Sequence, residues 1–206
     1  MSLSERARNK VRGFFQRYGM RSIKRRMWNT EYFTGRWSCL DATPDDCVYR
    51  YIVKYANQGS ILDLGCGAGN TGNELPEAAY QDLTGIDISD VAVEKAIERT
   101  QQFGRTSKNH YAQGDIVAYQ PTQQFDVILF RESIYYVPFS KIKGMLERYS
   151  SFLGNGGVFI VRLYEYTGRY EEVPDIIEKN FHLVEKALFD DPRAAVIVFR
   201  PASASN

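Results

Sequence analysis

The sequence predicts an α/β fold: a doubly wound, mostly parallel seven-stranded sheet with an antiparallel last strand, preceded by N-terminal helices. From Ser60 onward, short apolar runs alternate with segments of helical periodicity, and repeated βα units imply a parallel sheet covered on both faces. One apolar run, Ile61–Leu64, ends in three alternating glycines, as a buried strand ends in a tight turn. The last two runs are joined only by Ala187–Ala194, a hairpin-sized link that predicts the antiparallel final strand.

The predicted strands are Ile61–Leu64, Leu83–Asp87, Asn109–Gln113, Phe125–Phe130, Val158–Leu163, Phe181–Lys186 and Ala195–Arg200. The helices predicted between them are Thr71–Ala79, Asp90–Gln102, Phe139–Leu153 and Glu171–Lys179. A further helix is predicted over Asp41–Asn57, with Thr43 as its N-cap and Pro44 in the first position.

Size and composition indicate one globular domain. The chain has 206 residues, of which 44% are hydrophobic and 25% charged, enough to bury a core. No apolar run approaches the ~18 residues of a membrane span, and the polar, basic N-terminus does not resemble a signal peptide. The three cysteines show no CxxC pair or metal spacing, so we expect a cytoplasmic protein.

The charge is unevenly distributed. Residues 1–36 hold ten Lys/Arg and two acidic residues, an asymmetry that usually marks a partner or a surface. We divide the chain into a basic helical arm with an aromatic lid (1–40), a main domain (41–200) and a tail (201–206).

Residues 2–27 read as one amphipathic helix, or as two with a break near Gly19. Its apolar positions, Leu3, Ala7, Val11, Phe14 and Tyr18, follow helical spacing. Either this stripe packs on the domain, or residues 1–26 contact a membrane surface or another polyanion. The aromatic segment Met27–Trp37 surrounds a glycine and suits a lid or pocket wall better than a helix.

Gly65, Gly67 and Gly69 follow the first predicted strand, and we call this segment the glycine turn. It can accept a ligand directly on its backbone, because glycine has no Cβ. A dinucleotide fingerprint would require glycine at position 70, where this chain has Asn70. Asp63, two residues before Gly65, would repel a pyrophosphate and attract a cation. The turn therefore favours a positively charged ligand.

These residues resemble the motifs of the class I S-adenosylmethionine-dependent methyltransferases, which have a Rossmann-like fold. Asp63-Leu64-Gly65-Cys66-Gly67-Ala68-Gly69 resembles the first motif, and Asp87 the acid that binds the ribose hydroxyls. Gly114-Asp115-Ile116 resembles the adenine-binding turn, and Phe125–Glu132 and Gly154–Ile160 the later motifs. The resemblance implies S-adenosylmethionine as cofactor. The cofactor-binding residues it implies are Asp63, Gly65, Cys66, Gly67, Gly69, Asp87, Ile88, Asp115, Ile116 and Arg131.

The catalytic candidates follow the fourth strand. Glu132 could orient or deprotonate an amine or hydroxyl of the acceptor, or else hold the cofactor or cap a helix. Tyr135, three residues later in the sequence, is the second catalytic candidate. The remaining candidates for acceptor contact are Tyr32, Trp37, Tyr136 and Tyr164. With Tyr164, the polar or aromatic residues that could form a second wall of the pocket after the fifth strand are Arg162, Glu165, Tyr166 and Arg169. His110 and His182 fall at strand starts, away from the cofactor end.

The sequence is compatible with more than one class of methyl acceptor. Glu132–Val137 resembles, over a short stretch, the small-molecule enzymes that include the nodulation N-methyltransferases. We expect transfer to N or O of a polar small molecule, with sugar-containing acceptors among the candidates. No metal-binding cluster appears near the site, so no metal is expected. The alternatives are an RNA methyltransferase using the basic arm, and a non-catalytic module that binds a membrane surface or a partner.

Overall fold

The computed structural model describes residues 3–38, 42–164, 170–190 and 193–202. One seven-stranded sheet forms the centre, in the order β3-β2-β1-β4-β5-β7-β6. The strands are β1 Ser60–Leu64, β2 Asp82–Asp87, β3 Asn109–Gln113, β4 Phe125–Arg131, β5 Leu153–Tyr164, β6 Phe181–Asp190 and β7 Arg193–Pro201. Strands β1 to β5 pair with one another in parallel, and β7 is antiparallel to both β5 and β6. The predicted fold class is confirmed.

Strand order reverses beside β1. The chain passes from β1 outward to β2 and β3, then returns to place β4 on the other side of β1. In open α/β sheets, ligands bind at such a switch point, outside the carboxyl ends of the strands. The glycine turn lies there.

The helices are α1 Leu3–Tyr18, α2 Arg21–Phe33, α3 Tyr49–Ala56, α4 Asn70–Glu74, α5 Asp90–Gln102, α6 Phe139–Ser150 and α7 Glu172–Asn180. Two short 3₁₀ turns cover Glu77–Ala79 and Ile134–Tyr136. Within the described ranges, no helix has the length and apolarity needed to cross a membrane.

Two helix boundaries differ from the prediction. Thr43 does not cap a helix, because its N–H and hydroxyl both donate to the Glu74 carboxylate, and α3 begins only at Tyr49. Helix α4 ends at Glu74, since Pro76 lacks the N–H that a continuing helix would use.

Each face of the sheet is covered by its own core cluster. On one face, Leu64 and Phe130 pack with residues of α6 such as Tyr149. On the other, Ile61 and Leu83 pack with α3 and its neighbours. Burial on both faces explains why the strands read as near-continuous apolar runs.

The N-terminal helices pack on the domain, but not through the apolar stripe of α1. Val11, Phe14 and Tyr18 are 58%, 58% and 53% exposed, so the alternative in which the stripe packs on the domain is wrong for these three residues. Polar contacts hold α1 instead: Arg17 Nε donates to the Tyr135 carbonyl oxygen at 2.9 Å, and Gln16 is buried.

Helix α2 is fixed by a bidentate ion pair. Arg25 Nε and Nη2 donate to the two carboxylate oxygens of Asp90 at 2.8 and 2.9 Å, and Asn29 donates to the same carboxylate. The aromatic segment thought to be a poor helix lies largely within α2, which continues to Phe33. Tertiary contacts override its low helix propensity.

Candidate active site

The chain after β1 turns sharply at the carboxyl edge of the sheet. Gly65 and Gly67 have φ angles of +86° and +54°, conformations that residues with a Cβ rarely adopt. A Cβ on Gly65 would collide with Ser133, and one on Gly67 would lie 2.7 Å from the Tyr32 hydroxyl oxygen. The turn therefore requires glycine at both positions, and its neighbours press directly on the backbone.

The backbone N–H groups of this turn are already used inside the protein. The N–H groups of Gly65 and Cys66 donate to the Ile86 carbonyl at 2.7 and 3.1 Å, and that of Gly67 donates to Asp87 Oδ2 at 3.0 Å. A phosphate cradle needs backbone N–H groups directed at the anion. The bonding supports the sequence argument for a cationic ligand.

Cys66 and Gly69 complete the turn. The Cys66 side chain is buried, and burial raises the pKa of its thiol well above the usual value, so the thiol stays protonated. Gly69 also has a positive φ, and a Cβ there would meet Ala96 of α5. Its role is close packing of turn and helix.

Asp63 lies beneath the turn, near the carboxyl end of β1, and is only 1% exposed. Its Oδ1 atom has no hydrogen-bond partner among the described residues, although the Thr71 side chain bonds to the carboxylate. Burial raises the pKa of Asp63 to about 6. A buried carboxylate with a free oxygen is costly by itself and is stabilised when a cationic donor reaches it.

Asp87 ends β2 beside Asp63. Its Oδ1 accepts from the Ser89 N–H at 2.8 Å, and its Oδ2 accepts from Gly67. Burial raises the pKa of Asp87 to about 6. Each carboxylate oxygen retains capacity for a second hydrogen bond, so the group can still receive two hydroxyls. Ile88, half-buried, follows at the same edge.

Asp115 and Ile116 follow β3, the next strand along. Asp115 Oδ1 accepts from the Val117 N–H at 2.9 Å, and Ile116 is half-buried against the core. The Gly114 N–H donates to the Asp87 carbonyl at 2.8 Å, which ties the two strand ends together. The predicted adenine contacts therefore share an edge with the predicted ribose contact.

Aromatic residues of α2 cover the turn. The Tyr32 hydroxyl lies over Gly67, and the Trp28 ring meets Tyr136 edge-on with centroids 4.8 Å apart. Lys95 Nζ donates to the Tyr32 carbonyl at 2.8 Å. Burial raises the pKa of Tyr32 well above its usual range, so its hydroxyl stays neutral.

Glu31 anchors this cover, a role that sequence reasoning missed. It is 7% exposed and accepts from Gln16 Nε2 at 3.1 Å and Trp37 Nε1 at 3.0 Å. Arg12 Nε lies 3.4 Å from its Oε1. Glu31 is one of only two acidic residues among the ten Lys and Arg of residues 1–36, and this pattern could have indicated its structural role. Trp37, predicted to contact the acceptor, bonds here to Glu31.

Glu132 begins the loop after β4, with a φ of +58°. Its Oε2 accepts from the Tyr135 hydroxyl at 2.6 Å, and its Oε1 pairs with Arg162 Nη1. Burial raises the pKa of Glu132, opposed by the Arg162 charge. Tyr135 stacks on Tyr170 with centroids 4.2 Å apart, and burial raises its pKa well above the usual value. The two predicted catalytic groups are therefore in direct contact.

Arg131 and Arg162 lie side by side in β4 and β5 and share one acid. Arg131 Nε and Nη2 donate to Asp46 Oδ2 at 2.9 and 2.7 Å, and its Nη2 also donates to Thr43. Arg162 Nε lies 3.4 Å from Asp46 Oδ1. Arg162 is 8% exposed and lies within β5, and its place in the wall after the fifth strand stays a prediction. The cofactor contact suggested for Arg131 stays a prediction.

The remaining candidates lie apart. Tyr164 is 53% exposed at the end of β5, and Glu165, Tyr166 and Arg169 fall outside the described residues. His110 and His182 are exposed near the amino ends of β3 and β6, opposite the glycine turn. Neither histidine is placed to act as the base.

With this geometry established, comparison with known proteins identifies the family. A family model described as a methyltransferase domain matches residues 56–196. The chain belongs to this methyltransferase family. The sterol 24-C-methyltransferase of Candida albicans is 27% identical over 127 residues, which cover 61% of this chain and 33% of that enzyme. The chain thus spans about a third of the length of the curated relatives it matches.

Solved methyltransferases share the fold. The N-methyltransferase NodS from Bradyrhizobium japonicum WM9, in complex with S-adenosyl-L-homocysteine, gives a TM-score of 0.67 at 19% identity, covering 85% of this chain and 99% of that chain. The magnesium protoporphyrin IX methyltransferase from Synechocystis PCC 6803, with S-adenosylmethionine bound, gives 0.60 at 16% identity, covering 93% and 96%. At these identities the likeness shows that this chain shares the fold of enzymes solved with S-adenosyl-L-homocysteine or S-adenosylmethionine bound.

The site fits this cofactor. S-adenosylmethionine, when bound, supplies an electrophilic methyl group on a cationic sulfur. Asp63, buried with a free Oδ1, suits the ammonium or sulfonium end, and Asp87 suits two adjacent ribose hydroxyls. Asp115 and Ile116 lie at the same edge for the adenine. The chain thus offers carboxylates where the cofactor carries positive charge or hydroxyls.

Proposed function

We propose that this methyltransferase transfers the methyl group to a nitrogen or oxygen of a polar small molecule, with sugar-containing acceptors as the class to test first. The observation that supports it most is the Glu132–Tyr135 pair beside the glycine turn. A carboxylate there can orient an acceptor N–H or O–H and receive its proton. Tyrosine and tryptophan rings supply flat faces with polar edges, which suit a sugar.

The aromatic residues around this pair form one continuous wall. Tyr135 and Tyr136 have centroids 4.7 Å apart, Tyr135 stacks on Tyr170, and Tyr136 meets Trp28. Tightly packed rings exclude water and hold an acceptor in a fixed orientation, which is a large part of what methyl displacement requires.

A second acceptor class comes from the sequence relatives. The sterol 24-C-methyltransferases are named for transfer to a carbon, and transfer to an alkene carbon leaves a cation on the acceptor. The faces of aromatic rings stabilise such cations, so the same wall suits a lipid acceptor.

RNA is a weaker candidate. Arg12 and Arg25 are paired with acids and Arg17 donates to a backbone carbonyl, which lowers the charge available to phosphates. A non-catalytic module that binds no cofactor is disfavoured because Asp63 and Asp87 are both buried and Asp63 keeps an unpartnered Oδ1, a cost that a bound cationic ligand would offset.

The test has two steps. Isothermal titration with S-adenosylmethionine compares the wild type with Asp87→Ala and with the exposed control Asp175→Ala. We expect the Asp87 variant alone to lose binding. A labelled-methyl screen then separates water-soluble from solvent-extractable products. Equal binding by all three proteins contradicts the cofactor site, and label only in extractable products or RNA contradicts the polar acceptor.

A further inference from the structure

Helix α1 carries an apolar face that covers nothing in the described structure. Val11 and Phe14 are each 58% exposed, Tyr18 is 53% exposed and Met20, just after the helix, is 70% exposed. The Phe14 ring lies beside the rings of its helix neighbours, with centroids 5.8 Å from Phe15 and 5.2 Å from Tyr18. We call Val11, Phe14, Phe15 and Tyr18, which share one side of the helix, the α1 face. An exposed contiguous patch of this kind marks an interaction surface.

The orientation of α1 is fixed by the opposite side of the helix. Gly13 and Gln16 are buried, Gln16 donates to Glu31, and Arg17 donates to the Tyr135 carbonyl while its guanidinium lies 4.0 Å from the Phe139 ring centroid. These contacts commit the polar side of α1 to the domain. The apolar side therefore faces outward in the folded chain.

Basic residues lie beside the α1 face. Tyr18 also lines a cavity of about 360 Å³ whose charged lining residues are Arg17, Arg21, Lys24, Lys141 and Asp115, four cations against one carboxylate. Arg21, Lys141 and, farther along the stripe, Lys10 are exposed. Apolar side chains bordered by cations are the signature of a helix lying in the interface of an anionic bilayer.

We propose that the α1 face docks this methyltransferase on the surface of an anionic phospholipid membrane. Phe14, Phe15 and Tyr18 enter the boundary between headgroups and acyl chains, a region that aromatic side chains favour. Arg21 and Lys141 contact lipid phosphates near the short link between α1 and α2.

Charge and chemistry favour a membrane over the other occupants. A polyanion such as RNA would be met by unpaired cations, whereas Arg12 and Arg25 are paired with acids, Arg17 donates to a backbone carbonyl, and the outward face of α1 is apolar. A second copy of this chain would bring the same cations against one another. An anionic bilayer satisfies the apolar face and its basic border together.

The experiment is flotation of the full chain with vesicles of phosphatidylcholine, alone or mixed with phosphatidylserine. We expect wild type to float with the anionic vesicles, more weakly as salt rises. Val11→Glu/Phe14→Glu should weaken binding to the anionic vesicles by at least about tenfold, because the two introduced carboxylates would have to leave water. Arg21→Gln/Lys141→Gln should remove part of the salt-dependent binding, about fivefold per cation near the surface.

Two controls make the outcome decisive. Leu183→Glu/Leu188→Glu introduces the same two charges at apolar residues of the edge strand β6 that are 39% and 53% exposed, and it should float like wild type, as should Phe14→Trp. Titration with S-adenosyl-L-homocysteine, independent of any acceptor, checks that every variant is folded. The proposal is overturned if wild type does not float, if the α1 variant floats equally well, or if that variant instead abolishes dimerisation or RNA binding.

Discussion

The N–H of Gly67 donates to Oδ2 of Asp87 at 3.0 Å, so one carboxylate both ties the turn to β2 and offers its remaining lone pairs to a ligand. Asp63 lies beside it with a free Oδ1. Two buried acids in contact with one turn make the empty site electrostatically unfavourable at neutral pH. A bound cation relieves both, and the following two predictions rest on this relationship.

Stability should fall as these acids ionise. The folded pKa values of Asp63 and Asp87 are about 6, above the ordinary value of 3.8, so the folded chain binds more protons between about pH 4 and pH 6 than the unfolded chain does. Their contribution therefore declines as pH rises through that window. Asp63→Asn cannot ionise and should be more stable than wild type by about 1–3 kcal/mol at about pH 7.5, yet nearly equal near pH 4.

Urea unfolding at both pH values checks this, with the difference between the two proteins as the measured quantity, because groups distant from Asp63 titrate equally in both. A constant difference across the pH range would show that the Asp63 carboxyl is not perturbed. The exposed Asp175→Asn serves as the control for a lost surface charge.

Cofactor binding should release protons near pH 6. A cation next to Asp63 and Asp87 favours their ionised forms and lowers both pKa values, so protons leave on binding at a pH where the free protein still holds them. Titration calorimetry with S-adenosylmethionine in two buffers of different ionisation enthalpy measures the number released. Asp63→Asn should release fewer, and near pH 8 the release should vanish. Identical heats in both buffers at pH 6 would refute this coupling.

The parallel sheet was predictable because its signals are local and redundant. Each strand combines an apolar run with a following turn, and the predicted β3 and helix α5 have the observed bounds. The acids at successive strand ends were predictable for the same reason, since parallel strands bring their carboxyl ends to one edge.

Features that depend on distant partners were not predictable. Thr43 resembles a helix cap, but Glu74, 31 residues later, takes its N–H and hydroxyl. The α1 stripe has a core-like period, but the site that α1 packs against is polar, because Arg17 meets a backbone carbonyl and Gln16 meets Glu31. Periodicity gives a helix two faces without saying which one is buried.

The contact between Tyr32 and the turn gives a third prediction. Gly67→Ala should lose about 2 kcal/mol of stability, from the positive φ and from the clash with the Tyr32 hydroxyl. Tyr32→Phe removes the clashing oxygen, so the double variant should recover about 1 kcal/mol in a double-mutant cycle. Gly104→Ala is the matched control, since it has a φ of +69° with nothing within 4 Å of its Cβ. Purely additive effects measured by thermal and urea unfolding would mean that Tyr32 does not cover the turn.

The final prediction concerns the chain of charges Asp46–Arg162–Glu132. Arg162 pairs with both acids, so Asp46→Asn and Glu132→Gln each weaken its neutralisation and should each destabilise the fold by about 2–3 kcal/mol. They differ in chemistry, because only Glu132 also contacts Tyr135 at the acceptor side. If Glu132 receives the acceptor's proton, Glu132→Gln should lower kcat by about a hundredfold or more, with the affinity for S-adenosylmethionine unchanged.

Asp46→Asn is then the matched structural control: at a temperature where both variants are folded, it should retain most of the kcat. Activity is measured with the acceptor found in the labelled-methyl screen. Equal losses of kcat in the two variants would assign Glu132 to holding Arg162 in place, and an unchanged kcat in Glu132→Gln would remove it from the reaction. If kcat falls only in Glu132→Gln, and conditions that restore stability do not restore kcat, then Glu132 is the group that receives the proton.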